Sequence, residues 1–205
     1  MFITFEGIDG CGKSTQLNLL KEYLMQNNFN VVTTREPGGT ELSEQIRNIL
    51  LSVHNEISPI TELLLFEASR SHLVETIIKP ALDKNMIVLS DRFFDSTVAY
   101  QGYGRGLELE QINYLNNLAT NGIVPTLTFY LEIPLEISLK RRKKTIDRIE
   151  DIGYDFFQNV ADGFRKIAEL EPQRIITIDA SCTKEATFDK IVTVVNERLK
   201  NHSSI

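Results

Sequence analysis

Gly7-Ile8-Asp9-Gly10-Cys11-Gly12-Lys13-Ser14-Thr15 matches the pattern G-x-x-x-x-G-K-[ST] without a gap, and its flanks decide how it folds. Before it, Phe2-Ile3-Thr4-Phe5 is a β-branched and aromatic run, the pattern of a buried strand. After Lys13, Leu17, Leu20 and Leu24 recur at helical spacing as far as Met25. A glycine-rich turn between a strand and a helix turns free backbone N–H groups and the positive end of the helix dipole toward an anion. The loop therefore implies a bound nucleoside triphosphate. Lys13 reaches its β- and γ-phosphates, and the Ser14 hydroxyl is the expected protein contact to Mg²⁺.

Outward from the loop, strand and helix signals alternate. Val31-Val32-Thr33-Thr34 reads as a second strand after the Asn27-Asn28 loop. Thr40 is the expected N-cap of a helix carrying Ile46, Ile49 and Leu50. A further helix starts at Ser58-Pro59, with proline in its first turn, and runs through Leu63, Phe66, His72 and Ile77 towards Pro80. Met86-Ile87-Val88-Leu89-Ser90, Leu127-Thr128-Phe129-Tyr130-Leu131 and Arg174-Ile175-Ile176-Thr177-Ile178 supply three more strands, and Glu185 to Lys200 closes the chain as an amphipathic helix. Five strands alternating with helices predict an α/β fold of the P-loop NTPase type. Its sheet is parallel and five-stranded, with helices on both faces, and ligands collect at the C-terminal ends of the strands.

Composition narrows the function classes. At 205 residues the chain suits one well-buried domain, and 42% hydrophobic against 24% charged residues is ordinary for a soluble globule. No apolar run approaches the ~20 residues of a membrane span. Phe2 enters a strand at once, so no leader peptide is expected. Two cysteines, one of them in the loop, make no disulfide framework and suggest a cytoplasmic protein. A net charge of −6 argues against a broad nucleic-acid surface, so basic residues must cluster where a small anionic substrate is held.

The P-loop alone leaves GTPase switches, motors and small-molecule kinases open. No Asn-Lys-x-Asp string is present to read guanine, and motors usually need a longer chain. Arg35, Arg47, Arg70, Arg92, Arg105 and the group Arg141, Arg142, Arg148 offer planar forks suited to phosphate oxygens. Each is also readable as a solvated surface charge. Arg92 stands apart because it directly follows a buried strand. Asp91 ends that strand, either as a Walker-B-type carboxylate near Mg²⁺ or as a strand-end cap. Glu36 lies either across from Lys13 or in a turn facing water.

Three further segments carry a resemblance. They are Arg35-Glu36-Pro37-Gly38-Gly39-Thr40, Leu65-Phe66-Glu67-Ala68-Ser69-Arg70, and Asp91-Arg92-Phe93 leading into Ala99-Tyr100-Gln101-Gly102-Tyr103-Gly104-Arg105-Gly106. With the P-loop and Asp147-Arg148-Ile149-Glu150, they resemble the thymidylate kinases in order and spacing, from residue 2 to about residue 157. The resemblance implies a single nucleoside-monophosphate kinase domain over residues 1–205, with a small mobile lid at about 140–151. It implies ATP and dTMP as substrates, Mg²⁺ with the ATP, and a homodimer joined through helices. It implies that Phe66 stacks on thymine, although periodicity alone reads Phe66 as core, and that Arg70 and Gln101 bond the polar edge of the base. Tyr100 then stands beside the sugar, Arg47 and Arg92 hold the acceptor phosphate, Glu36 belongs to the acceptor site, and Asp9 accepts from the 3′-hydroxyl. A carboxylate in an anion cradle is otherwise costly, which itself points to function. Since the variable P-loop positions hold no arginine, the catalytic arginine is expected among Arg141, Arg142 and Arg148, beside Lys13 and Arg92. Phe93 stands where the family often has tyrosine, and the lid is shorter than in some bacterial relatives. A kinase for another nucleoside monophosphate, or a non-catalytic ATP-binding regulatory module, remains the alternative.

Overall fold

The computed structural model describes residues 1–141, 148–149 and 152–202. Five strands form one sheet: β1 (Phe2–Glu6), β2 (Val31–Arg35), β3 (Ile87–Asp91), β4 (Leu127–Glu132) and β5 (Ile175–Asp179). All pairings are parallel and the spatial order is β2-β3-β1-β4-β5. The expected five-stranded parallel sheet is present. Its order matters for the site because β3 lies directly beside β1, with Phe5 opposite Asp91. The loop after β1 and the Asp91-Arg92 turn after β3 therefore leave the same sheet edge side by side, where the chain reverses its direction of winding.

Alternation along β1 sorts the core. Ile3 and Phe5 face one side with Leu89, Phe129 and the α1 residues Leu17, Leu20 and Leu24, where α1 is Lys13–Gln26. Phe2 faces the other side with Val88, Phe93, Leu73 and Ile78. Two helix starts follow the sequence signals closely. Thr40 caps α2 (Glu41–Leu51), its Oγ1 accepting from the Ser43 N–H at 3.1 Å. Ser58 caps α3 (Pro59–Leu73), its Oγ accepting from the Thr61 N–H at 3.3 Å.

That third helix does not stop at Pro80. It continues through a π-wound stretch, Val74–Ile78, into α4 (Lys79–Asp83). The wider turns lie immediately before the proline, where the hydrogen-bond register must change around its missing N–H. A second π-wound stretch, Val98–Gly104, extends α5 (Phe94–Thr97). The remaining helices are α6 (Leu109–Thr120), α7 (Leu135–Arg141), α8 (Tyr154–Leu170) and α9 (Lys184–His202). Helix α8 buries Phe156, Phe157, Val160 and Phe164, which recur at helical spacing, and packs against the second π-wound stretch. Among the described residues, no helix is long and apolar enough to cross a membrane.

A buried ion pair ties Arg174, just before β5, to Asp95 on α5. Arg174 Nη1 and Nη2 donate to Asp95 Oδ2 and Oδ1, each at 2.8 Å, and Nη1 also donates to Thr128 Oγ1 at 2.9 Å. Removing one partner of such a pair leaves an uncompensated charge, which costs more than removing both. Asp95→Ala should destabilise the protein by ~3–5 kcal/mol in urea unfolding, and Asp95→Ala with Arg174→Met should recover a large part of that loss.

Candidate active site

The loop after β1 is shaped by glycines at positions other residues resist. Gly12 caps α1 at φ +100°, and among the described residues no side chain bonds the first-turn amides, so these donors are left for a phosphate. Gly10, at φ +79°, lies so close to α7 that a Cβ would stand 2.9 Å from the Ser138 carbonyl oxygen and 3.2 Å from Arg141 Cβ. The Ser138 hydroxyl donates to the Asp9 carbonyl at 2.6 Å and fixes the loop against that helix. Lys13 is buried and folded along the loop, its Nζ donating to the carbonyls of Gly7 at 3.0 Å and Ile8 at 3.2 Å. The Ser14 hydroxyl donates to the Asp91 carboxylate. This hydroxyl and carboxylate are hard oxygen groups side by side at the edge of the cradle, the donor set Mg²⁺ takes alongside phosphates and water.

Arg92 joins this cradle to the rest of the site. Its backbone is left-handed, at φ +73°, a conformation a non-glycine residue adopts only when its surroundings demand it. The demand is visible. Its N–H donates to the Phe5 carbonyl at 2.9 Å, and its carbonyl accepts from the Ser90 hydroxyl at 2.6 Å. The side chain then crosses to the loop. Nη1 donates to Gly7 O and Ser96 Oγ, both at 3.0 Å, and Nη2 donates to Asp9 Oδ1 at 2.7 Å and to the Tyr100 hydroxyl oxygen at 3.1 Å. Asp9 also lies 3.8 Å from Lys13 Nζ. A carboxylate inside an anion cradle is thus held by two cations, which removes the local conflict noted in the sequence. The Tyr100 ring meets Phe156, Phe157 and Phe164 edge-on, which holds its hydroxyl between Arg92 and Asp9.

Beyond Arg92 lies a cavity lined by Asp9, Glu36, Arg47, Phe66, Arg70, Arg92, Tyr100 and Gln101. These are all eight residues expected at the acceptor site. Pro37, Leu51, Phe93, Ser96, Thr97 and Ile149 complete the wall. Phe66 is half-buried, packed on the core on one side, as periodicity reads it, and lining the cavity on the other. Arg47 donates to the Pro37 carbonyl at 2.8 Å, and the Glu36–Pro37 peptide is cis. Arg70 is fully buried. Its five N–H groups go to Glu36 Oε2 (2.9 and 2.7 Å), Glu67 Oε1 (2.7 Å), Asn116 Oδ1 (2.8 Å) and Thr97 Oγ1 (2.8 Å). Two carboxylates thus share one guanidinium. Their outer oxygens, Glu36 Oε1 and Glu67 Oε2, have no partner among the described residues. Glu36 therefore neither faces water nor joins the Ser14–Asp91 pair. Burial raises it to about 7 against the pull of Arg70, with Glu67 adding to the rise, and burial raises Glu67 likewise.

The expected lid arginines divide. Arg142 lies outside the described residues, as do 143–147, 150 and 151. Arg141 lies beside Gly10, and its Nη1 reaches the Ala180 carbonyl at 3.4 Å. Arg148 is held elsewhere: Nε donates to Leu50 O at 2.8 Å and Nη2 to Glu62 Oε2 at 2.6 Å, on the α2–α3 side rather than at the P-loop. Arg105 is not a solvated charge, since it bonds the same Glu62 and lies over the Phe156 ring. Sequence reading missed Glu62 and Glu6. Glu6 ends β1 buried and accepts from the Phe93 N–H at 2.7 Å and the Ser96 hydroxyl at 2.6 Å, fixing the turn that carries Arg92. Burial, then the Asp95 carboxylate, push its titration upward. A carboxylate closing a buried strand was the available signal.

A P-loop at the end of the central strand, a serine–aspartate pair beside it and a cation-rimmed acceptor cavity define a phosphotransferase acting between a nucleoside triphosphate and a small phosphorylated acceptor. The sequence profile of the thymidylate kinases matches residues 5–191. A thymidylate kinase of a Sulfurihydrogenibium species is 52% identical over all of this chain and 98% of its own length. That of Chlorobaculum parvum is 50% identical over 95% of each. The crystal structure of thymidylate kinase from Ehrlichia chaffeensis superposes with a TM-score of 0.79 at 40% identity, covering 95% of this chain and 98% of that one. The chain belongs to the thymidylate kinase family.

Glu36 makes a pH test available. Its value in the fold, about 7, exceeds the ordinary 4.5, so its contribution to stability is fully present below about 4.5 and is lost as pH rises through 7. Comparing urea unfolding at pH 5 and pH 8, the parent should lose ~1–3 kcal/mol more than Glu36→Gln does. Equal losses would show that Glu36 is ionised throughout.

Proposed function

We propose a division of labour among these residues for the reaction of the family, in which the enzyme transfers the γ-phosphoryl group of ATP to dTMP and releases ADP and dTDP. The observation that carries it is that the residues expected around the acceptor share one cavity. Residues scattered from Asp9 to Gln101 line one wall around it, and its Asp9–Arg92 end adjoins the P-loop.

The residues from Gly7 to Thr15 hold the ATP phosphates, with Lys13 turning from the loop carbonyls to the β- and γ-oxygens. Ser14 and Asp91 hold Mg²⁺, which supplies charge neutralisation on the triphosphate when bound. Arg47 and Arg92 hold the dTMP phosphate. One of its oxygens forms a bond to the γ-phosphorus in line with the bond to ADP that breaks, and no phosphoenzyme is needed. Lys13, Arg92 and a lid arginine take up the charge spread over the transferring group, and Arg141 is favoured among the described ones by its position beside Gly10. Phe66 stacks on the base, Gln101 and Arg70 bond its edge, and Asp9 accepts from the 3′-hydroxyl. Since every Arg70 N–H already has an acceptor, a base oxygen takes the place of a neutral one, Thr97 or Asn116, rather than a carboxylate.

The chain acts as one domain with a lid over about 140–151, in the cytoplasm, where its free Cys11 and Cys182 stay reduced. It pairs with a second copy through α3 and α6, which pack together and expose Ile60, Leu64, Tyr114 and Leu118 at i,i+4 spacing.

A coupled assay for ADP tests the reading. Turnover should require dTMP and fall sharply with CMP, AMP or GMP, and ADP formation indifferent to dTMP would refute it. Lys13→Ala should lower kcat by ~100-fold or more with dTMP affinity by calorimetry nearly unchanged, because Lys13 faces the donor. Leu64→Glu with Tyr114→Glu should halve the mass seen by light scattering, and a parent protein already of single-chain mass would remove the dimer.

A further inference from the structure

Glu62 lies one helical turn before Phe66 on α3, fully buried behind the cavity wall. Its Oε1 accepts from Gln101 Nε2 at 2.8 Å and Arg105 Nε at 3.1 Å, and its Oε2 from Arg105 Nη2 at 2.8 Å and Arg148 Nη2 at 2.6 Å. Burial pushes its titration upward, but the bonds from Arg105, Gln101 and Arg148 outweigh it and leave the carboxyl below its ordinary range. Glu62 is therefore an anion and can only accept. That decides the orientation of its neighbour. A glutamine amide has one donor end and one acceptor end, and turning Oε1 toward Glu62 would set lone pair against lone pair in a buried place. Nε2 must face Glu62, and Oε1 is left to the other side. Gln101 lines the acceptor cavity, and no described residue donates to its Oε1.

We infer that Glu62 is a positioning residue for base identity: by fixing the Gln101 amide, it makes the cavity present an acceptor to the pyrimidine edge. A base with an N3–H, thymine or uracil, satisfies that acceptor. Cytosine, whose N3 is a lone pair, does not, and a site built to bond a substrate N–H rejects an analogue lacking it far more strongly than shape alone can. The inference rests on the placement of the base against Gln101 proposed above.

The experiment compares kcat/KM for dTMP and dCMP in the parent, Glu62→Gln, Gln101→Glu, the double exchange, and Gln101→Ala. In Glu62→Gln the new amide can meet Gln101 either way round, so the dTMP:dCMP ratio should fall by about tenfold or more, while KM for ATP stays within about twofold. A merely structural role would move both acceptors together. Gln101→Glu sets two carboxylates face to face and should lose the ratio as well. The double exchange restores one carboxylate and one amide at unchanged net charge, with the amide at position 62 donating and the free oxygen at position 101 accepting. It should recover most of the ratio, and it keeps the test available should Glu62→Gln fold poorly. A folded Glu62→Gln with the parent's ratio, or a folded double exchange that stays unselective, overturns the inference. Gln101→Ala separates the two readings. If it raises KM for dTMP while Glu62→Gln keeps the ratio, only the inference falls. If it leaves dTMP binding unchanged, the base lies elsewhere and both fall.

Discussion

Everything in the site depends on where the Arg92 guanidinium is held. It spans the seam between β1 and β3, touching Gly7 and Asp9 on one side and Ser96 and Tyr100 on the other. A left-handed non-glycine backbone costs ~1–3 kcal/mol, and a guanidinium with most of its surface withdrawn from water costs more. The surrounding bonds offset that cost: two backbone-anchoring bonds to Phe5 and Ser90, and Glu6 underneath, gripping Phe93 and Ser96 on either side of the turn. The result is one rigid connection between the P-loop and the cavity, the two places proposed for donor and acceptor. Phosphoryl transfer gains most from such fixed placement of charge, because there is little covalent work for the protein to do.

The same logic explains an unusual helix. α3 turns Glu62, Glu67 and Arg70 inward and leaves Ile60 and Leu64 in water. Buried charges are tolerated only when paired and bonded: Glu62 is met by Arg105 and Arg148 from other elements, Glu67 by Arg70 on the same helix, and Arg70 in turn by Glu36 from beyond β2. The pairing is not balanced around Arg70, where two carboxylates meet one cation and two oxygens lack a donor among the described residues. Such an imbalance is expected where a ligand completes the network rather than where stability alone has shaped it.

Much of this was legible in the sequence. The P-loop, all five strands, the Thr40 cap and the helix start at Ser58-Pro59 follow from local pattern, since each depends on residues within a few positions of one another. The residues expected at the acceptor site were legible only as motif segments, and the sheet order brings them to one cavity. What stayed hidden depends on long-range pairing. Nothing near Glu62 says that Arg105 and Arg148 will converge on it, and Leu63, Leu64 and Leu65 suggest an apolar inner face where the charges lie. Arg148 reads as a phosphate ligand from its neighbours in sequence, but Glu62, 86 positions away, holds it in this arrangement. The π-wound stretches have no local signature beyond Pro80. Helix α8 was not read from the sequence, and neither was the role of its phenylalanine rings in fixing Tyr100.

The central claim is that Asp9 and Arg92 act as one unit linking donor and acceptor. A double-mutant cycle on kcat with Asp9→Asn and Arg92→Lys tests it most directly, at saturating ATP and dTMP with folding checked by circular dichroism. Since either change breaks the same connection, the double variant should lose little more than the worse single one. Losses that multiply would mean that the two residues serve the reaction separately, and the connection would then be no more than a feature of the fold.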